Sequence, residues 1–405
     1  MQALKQSLRI RTALGFGRWA CGQEAVTARP PPSPAPAPCE AGLSQAALYP
    51  RRAWTHANGG KMNASCFAFR DINRNGVYDQ GDRPMANVAF VGRNDRGWSH
   101  LMRSNPSGFA NYRMSLTNRE CEIVEPGLYT FELIVPPGWS VTTGNAFQGR
   151  RFRGLIGAPG DLVMESLPRP IGLAPDLAIQ GRVEDLGPLT VVIQGPEGQE
   201  AAAELEGPGA FSVPVTPGAW RIAVSGSGNT FQRTIEVGLA APVALSAIRL
   251  GREDPPPAGP DRTLGFDDLV STGVLELPNG YGGLNWFNWI ATHQMNYQGE
   301  GYINGCMSGE FVAYNSSGHP AVISSDQPFD FVGGHLTGAW LTVEGEIVRA
   351  KGWRRDELVY EDALPLSAMG PVYFAADYRG VTRVEFATDH YWQVVVDDMT
   401  FRLPS

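Results

Sequence analysis

The stretch Cys66-Phe67-Ala68-Phe69-Arg70-Asp71-Ile72-Asn73-Arg74-Asn75-Gly76-Val77-Tyr78-Asp79-Gln80-Gly81-Asp82-Arg83-Pro84 changes character twice. Phe67 and Phe69 alternate with Cys66 and Ala68, the two-residue period of a strand. From Asp71 to Asp82 the chain is rich in Asp, Asn and Gly, the residues that bend a backbone and satisfy it locally. Arg83-Pro84 then blocks a helix, because the residue before a proline is held out of the helical region. A polar loop entered from a strand and left through a proline belongs in a β-protein.

The rest of the chain reads the same way. Tyr129, Phe131, Leu133 and Val135 share one face, and Val88-Ala89-Phe90-Val91, Leu189-Thr190-Val191-Val192-Ile193 and Trp220-Arg221-Ile222-Ala223-Val224 are further strand-like runs. Pro-Gly pairs at 126–127, 137–138, 208–209 and 217–218 mark turns. Glycine (48) and proline (32) make up close to a fifth of the 405 residues while charged residues are only 18%, which suits many turns and few surface helices. An internal repeat is visible. Ser107-Gly108-Phe109 precedes Pro126-Gly127-Leu128-Tyr129, as Pro208-Gly209-Ala210-Phe211 precedes Pro217-Gly218-Ala219-Trp220.

Two proline-rich breaks, Arg29–Pro38 and Arg252–Pro260, divide the chain, since proline fixes φ and removes a donor. The expected organisation is a leader and tether (1–51), a β-sandwich module (52–150), a connector (151–171), a second β-sandwich (172–250), a linker (251–262) and a C-terminal jelly-roll sandwich (263–405). The last is read from its glycine- and tryptophan-rich texture and from runs such as Gly309–Tyr314, Trp340–Val343 and Gln393–Val396. The fold class expected is all-β.

The loop is also the clearest chemical signal. Calcium takes about six to eight oxygen ligands. Asp71, Asn73 and Asn75 offer side-chain oxygens at positions one, three and five, and Gly76 allows the bend at six. Val77 offers its carbonyl at seven, Asp79 binds directly or through water, and Asp82 stands at the closing position. An EF-hand needs flanking helices and a dockerin a second loop, and neither pattern is present. Two acidic pairs, Asp267-Asp268 and Asp397-Asp398, bracket the C-terminal domain and form a second candidate calcium site, because clustered carboxylates repel unless a cation neutralises them.

Phe69–Gly76, then Asp79, Gly81-Asp82, Pro84 and Val88, followed by Gly108-Phe109 and Pro126–Tyr129, resembles the B-type repeats of bacterial serine–aspartate surface adhesins. Residues 172–250 are similar, more loosely, to carboxypeptidase-regulatory-like modules, and 263–405 to carbohydrate-binding jelly rolls. The resemblance implies Greek-key sandwiches, exposure outside a bacterial cell or on its surface, and calcium as a structural clip. Wall attachment does not carry over, as no sorting motif with a hydrophobic tail ends the chain. Lys5, Arg9 and Arg11 precede a short apolar stretch that Arg18 interrupts, a poor match to a signal peptide.

For ligand binding, Asn285, Trp286, Trp289 and Trp353 are the candidates, since sugars stack on exposed rings while amides hold their hydroxyls. Glu310, Glu344 and Asp330 are available as glycosidase carboxylates, but nothing in their spacing selects a pair. His293, His319, His335 and His390 are scattered, with no HExxH or GxSxG. The net charge of −8 without a basic run argues against nucleic acid, and no apolar run reaches the ~18 residues of a membrane helix. Cys66 and Cys121 fall in one module and could pair, and Cys21, Cys39 and Cys306 have no motif partner. The reading is therefore a non-catalytic extracellular or surface protein that binds a glycan or surface-protein ligand. A structural subunit of a homo-assembly and an unrecognised carbohydrate-active enzyme are the alternatives.

Overall fold

The computed structural model describes residues 9–12, 62–114, 119–125, 127–143, 152–156, 162–164, 169–269 and 273–404. The tether prolines, Cys21 and Cys39 lie outside them. The chain is all-β, built of sandwiches, with one short α-helix, Glu300–Asn304, among the described residues.

The first sandwich sets Met62–Arg70, flanked by Arg83–Pro84, Phe109–Met114, Ile171–Pro175 and Trp139–Val141, against a second sheet containing Leu128–Ile134, Ala89–Asn94 and Ser99–Arg103. Alternation drives this packing. Ala64, Cys66 and Ala68 point in to meet Phe90, Tyr112, Phe131 and Leu133. Ile171–Pro175 pairs in parallel with Met62–Arg70. A parallel partner must come from far along the chain, so the strand that opens the expected second module completes the first one. Cys66 and Cys121 are buried free thiols, not a disulfide.

The second sandwich has one sheet of its own, Glu200–Leu205, Leu189–Gln194, Gly218–Gly226 and Asn229–Val237, with Arg9–Thr12 added beside Glu200–Leu205. Its other strands, Gly209–Pro214, Ala178–Val183 and Val243–Leu245, run on into the C-terminal domain through Val372–Ala375, which pairs in parallel with Val243–Leu245. The internal repeat has a physical counterpart. Tyr129 and Trp220 are both buried, and each ring donates back four residues, Tyr129 Oη to the Glu125 carbonyl and Trp220 Nε1 to the Thr216 carbonyl.

The C-terminal domain is two layers joined by one long strand, Ala321–Gly338. Its first part pairs with Asn285–Phe287 and Tyr378–Thr388, and its second with Val394–Arg402 and Val372–Ala375. Register shifts between Ser324 and His335 bend it from one layer to the other. Trp340–Val343, expected as a strand, instead leads into a 3-10 turn, Leu341–Val343. The proline-rich segment 251–262 lies against this domain. Arg252 stacks over the Tyr360 ring, Asp254 binds Arg354 and Tyr360, and Ala258 N donates to buried Asp330.

The three units meet in a buried polar seam. Asn304 bonds both Ala86 and the Ala368 carbonyl, and Met369 joins the first core. Beneath it half-buried His335 packs against Tyr373, and its buried Nδ1 has no partner among the described residues.

Two outcomes follow from this packing. Burial, with Arg70 nearby, pushes the His335 imidazole down to about 3 from 6.5. Its neutral form therefore contributes stability that is complete above pH 6.5 and lost as pH falls toward 3. Denaturant melts from pH 7 to 4 should show a steeper loss for wild type than for His335→Gln, and equal slopes would contradict the assignment. A Cβ on Gly301 would overlap the Gly338 carbonyl oxygen. Gly301→Ala should cost about 2 kcal/mol, read as a lower denaturation midpoint.

Candidate functional site

The Asp71–Asp82 loop leaves the end of Met62–Arg70, and Asp71 N donates to the Leu173 carbonyl. Asp71 is fully buried. Its two carboxylate oxygens accept from Asn75 N (3.2 Å) and Gly76 N (2.7 Å), while Asn73 and Asn75 accept from Asn75 N and Val77 N. Asp82 accepts from Ile72 N and Asp79 N. These bonds curl the loop around its own side chains. Gly76 is required twice. Its φ is +76°, and a Cβ would sit 2.8 Å from the Thr142 carbonyl oxygen.

The electrostatics are lopsided. The Asp82 carboxyl is pushed up, chiefly by burial and also by Asp71 and Asp79, while backbone N–H donors pull it back. The arginines beside these three acids form no ion pair with them among the described residues, although Arg74 is close enough to feel Asp71. Arg74 donates to the Pro175 and Leu239 carbonyls. Arg70 donates to the Asn304 (2.8 Å) and Ala240 carbonyls, and Arg83 to the Gly309 carbonyl (2.8 Å). Arg70 is buried without a carboxylate partner among the described residues, and burial, with Arg83 adding, lowers it to about 10.

The donor set suits a hard cation. Each carboxylate or amide oxygen that accepts one N–H keeps a lone pair, and Val77 can add its carbonyl. Asn73 and Asn75 turn their Nδ2 groups on Asp79 (3.0 and 2.7 Å), so loading requires both amides to rotate their oxygens inward. Among the described residues no three His, Cys, Asp or Glu side chains already converge as a metal cage. The fit therefore rests on amide and carbonyl oxygens beside the acids.

The second acidic group is brought together only in part. Asp267 accepts from Glu310 N and Phe311 N, and Asp397 from Met307 N, Ser308 N and Asp398 N. Asp398 accepts from Ser308 Oγ. Asp268 turns away to accept from Tyr281 Oη (2.9 Å). Burial and Asp398 push the Asp397 carboxyl up to about 8. Backbone N–H groups and Ser308 Oγ thus take up the carboxylates of Asp267, Asp397 and Asp398.

The aromatic candidates are corrected. Trp289 is fully buried and Trp286 is 5% exposed. Both sit in the C-terminal core, with Trp286 Nε1 donating to the Tyr281 carbonyl. Alternation along Asn285–Phe287 sends Trp286 inward and Asn285 and Phe287 outward. Trp353 is half-buried with the Arg383 guanidinium over its ring at 4.3 Å, so that face is covered. Among the described residues of the C-terminal domain the exposed rings are Tyr297 (44%), Phe287 (68%), Tyr391 (65%) and Trp392 (40%). Sequence reading passed over the last two because they lie in a connection with no periodicity.

The catalytic candidates are dispersed. Asp330 is buried and accepts from Ala258 N and Gly380 N, and Glu344 accepts from Ala368 N. Glu310 is exposed beside His293 (3.6 Å).

No family model matches the sequence, and no curated protein does. Among solved structures it is similar to the TIE protein of Bacillus anthracis, with 13% identity and a TM-score of 0.21 over 47% of this chain and 35% of that one. It is also similar to the M60 catalytic domain with the CBM51-1 and CBM51-2 domains of Clostridium perfringens ZmpB, with 11% identity and a TM-score of 0.20 over 89% of this chain and 32% of that one. The chain spans about a third of the length of either. Similarity at that level bears on neither the fold nor the activity of this chain.

Proposed function

We propose that this chain is a non-catalytic binding protein, secreted or displayed on a bacterial surface. In this reading calcium held by Asp71–Asp82 clips the sandwiches together, and the C-terminal domain carries a glycan or other surface ligand. One observation carries it. Three acids lie in a twelve-residue loop whose flanking arginines are all turned to carbonyls outside the loop. The charge is left for a cation, and the arginines tie the loop to both neighbouring units. The likeness of Phe69–Val88 to adhesin B-type modules agrees with this reading.

A second reading, a subunit of a homo-assembly, has its own support. Val274–Glu276 is an edge strand of the large sheet, and Val274 (49% exposed) and Leu275 (38%) face solvent. Light scattering decides it: concentration-dependent growth in mass favours assembly, and a strict monomer counts against it.

The calcium reading predicts a melt that responds to chelator. At a hundredfold excess over its dissociation constant the ion should add about 2.7 kcal/mol. Chelator should then lower the wild-type midpoint and leave Asp71→Ala almost unmoved. A wild-type midpoint indifferent to chelator would contradict the site.

A further inference from the structure

Three connections of the C-terminal domain close on one another at one end: Phe287-Asn288, Ser316–Pro320 and Asp389–Gln393. Their backbone is held in conformations that side chains resist. Asn288 (φ 61°), Ser317 (φ 54°) and Tyr391 (φ 59°) all occupy the left-handed region, and for a residue as bulky as tyrosine that is an outlier. The surroundings impose it. Gly318 lies so close that a Cβ there would overlap the Tyr391 carbonyl. Asn288 Nδ2 lies within hydrogen-bond distance of the Ser316, His319 and Pro320 carbonyls (3.1–3.2 Å). Asn315 bonds the His319 carbonyl and Val394 N, and Thr388 Oγ1 donates to the Trp392 carbonyl. Strain held this firmly is a mark of functional loops.

The strained frame presents rings. Tyr391 lies 5.7 Å from His319, and Trp392 lies 6.4 Å from half-buried Trp340. Phe287 projects from the neighbouring strand, next to Asn288. The charges beside them are already matched. Asp389 pairs with Arg349 (2.6 Å), and Glu346 holds His390 Nδ1 (2.8 Å). Rigid rings interleaved with amides and imidazoles, and without surplus charge, suit a ligand with one apolar face and many hydroxyls. A membrane would want a broader apolar face with cations at its edge, and an anionic ligand would want an unpaired guanidinium.

We propose that Tyr391, Trp392 and Phe287 form a stacking platform for a neutral pyranose of an oligosaccharide. This rests on the reading of the C-terminal domain as the ligand-bearing part, and it moves the site from the buried tryptophans to the loop end.

The test takes the full chain with calcium to an array of neutral and acidic oligosaccharides, followed by calorimetric titration of the neutral sugars bound. Tyr391→Ala and Trp392→Ala should each weaken binding at least about tenfold, with Trp392→Phe partly restoring it. Phe287→Ala, on a regular strand, keeps the test informative if a loop variant misfolds. It should also weaken binding while leaving the melt unchanged. Neutral-sugar binding untouched by these variants would overturn the platform and leave the glycan reading standing. Binding only to acidic sugars would overturn the neutral class. No binding to any sugar would sink both the platform and the reading beneath it. Adsorption to phosphatidylcholine vesicles, lost in the same variants, would reassign the rings to a membrane.

Discussion

The Asp71–Asp82 loop carries an imbalance of charge at the junction of the sandwiches. Asp71, Asp79 and Asp82 are drawn into one tight loop by backbone N–H groups, and Asp82 feels the other two. Arg70, Arg74 and Arg83 stand next to these acids in sequence but spend their donors elsewhere. The buried Arg70 guanidinium is costly unless hydrogen-bonded, and it and the half-buried Arg74 and Arg83 all reach carbonyls of neighbouring segments. The three carboxylates do not already converge as a cage, and in the proposed reading a divalent ion would gather them with the Asn73, Asn75 and Val77 oxygens. The same displacement of the arginines makes the loop the place where the three sandwiches are joined.

That joint is continuous, not a set of hinges. Val243–Leu245 and Val372–Ala375 pair directly, so the second sandwich and the C-terminal domain share one sheet. The proline-rich segment between them is pinned by Arg252 on Tyr360 and by Asp330 on Ala258 N. Asn304 ties the short helix to the first sandwich at Ala86. The helix also carries Tyr302, which packs against Trp340 at the edge of the exposed rings. The Asp71–Asp82 loop and the exposed rings of the C-terminal domain are therefore joined through packed, hydrogen-bonded contacts.

Local pattern was readable in the sequence wherever the chemistry was local. The alternation at Phe67 and Phe69, the Pro-Gly turns and the paired aromatics Tyr129 and Trp220 all sit in strands as expected. The order of donors in the loop also survives into its hydrogen bonds. Long-range choices were not readable. Nothing near Ile171 says that it pairs in parallel with Ala68, and nothing near Arg83 says that it reaches Gly309. Trp286 and Trp289 misled because their glycine- and amide-rich surroundings look like an exposed loop. Yet period-two alternation already places Asn285 and Phe287 opposite Trp286, and following it points to one ring of the proposed platform. Tyr391 and Trp392 carry no pattern, and the backbone at Tyr391 is crowded by Gly318 from another part of the chain.

The central claim is that one ion belongs in the Asp71–Asp82 loop. Native mass spectrometry of the intact chain, sprayed from a calcium-containing volatile buffer, measures it most directly. The account predicts a mass increment of a single calcium in wild type that disappears in Asp71→Ala. A wild-type spectrum without the increment, or an increment that survives in the variant, would contradict it.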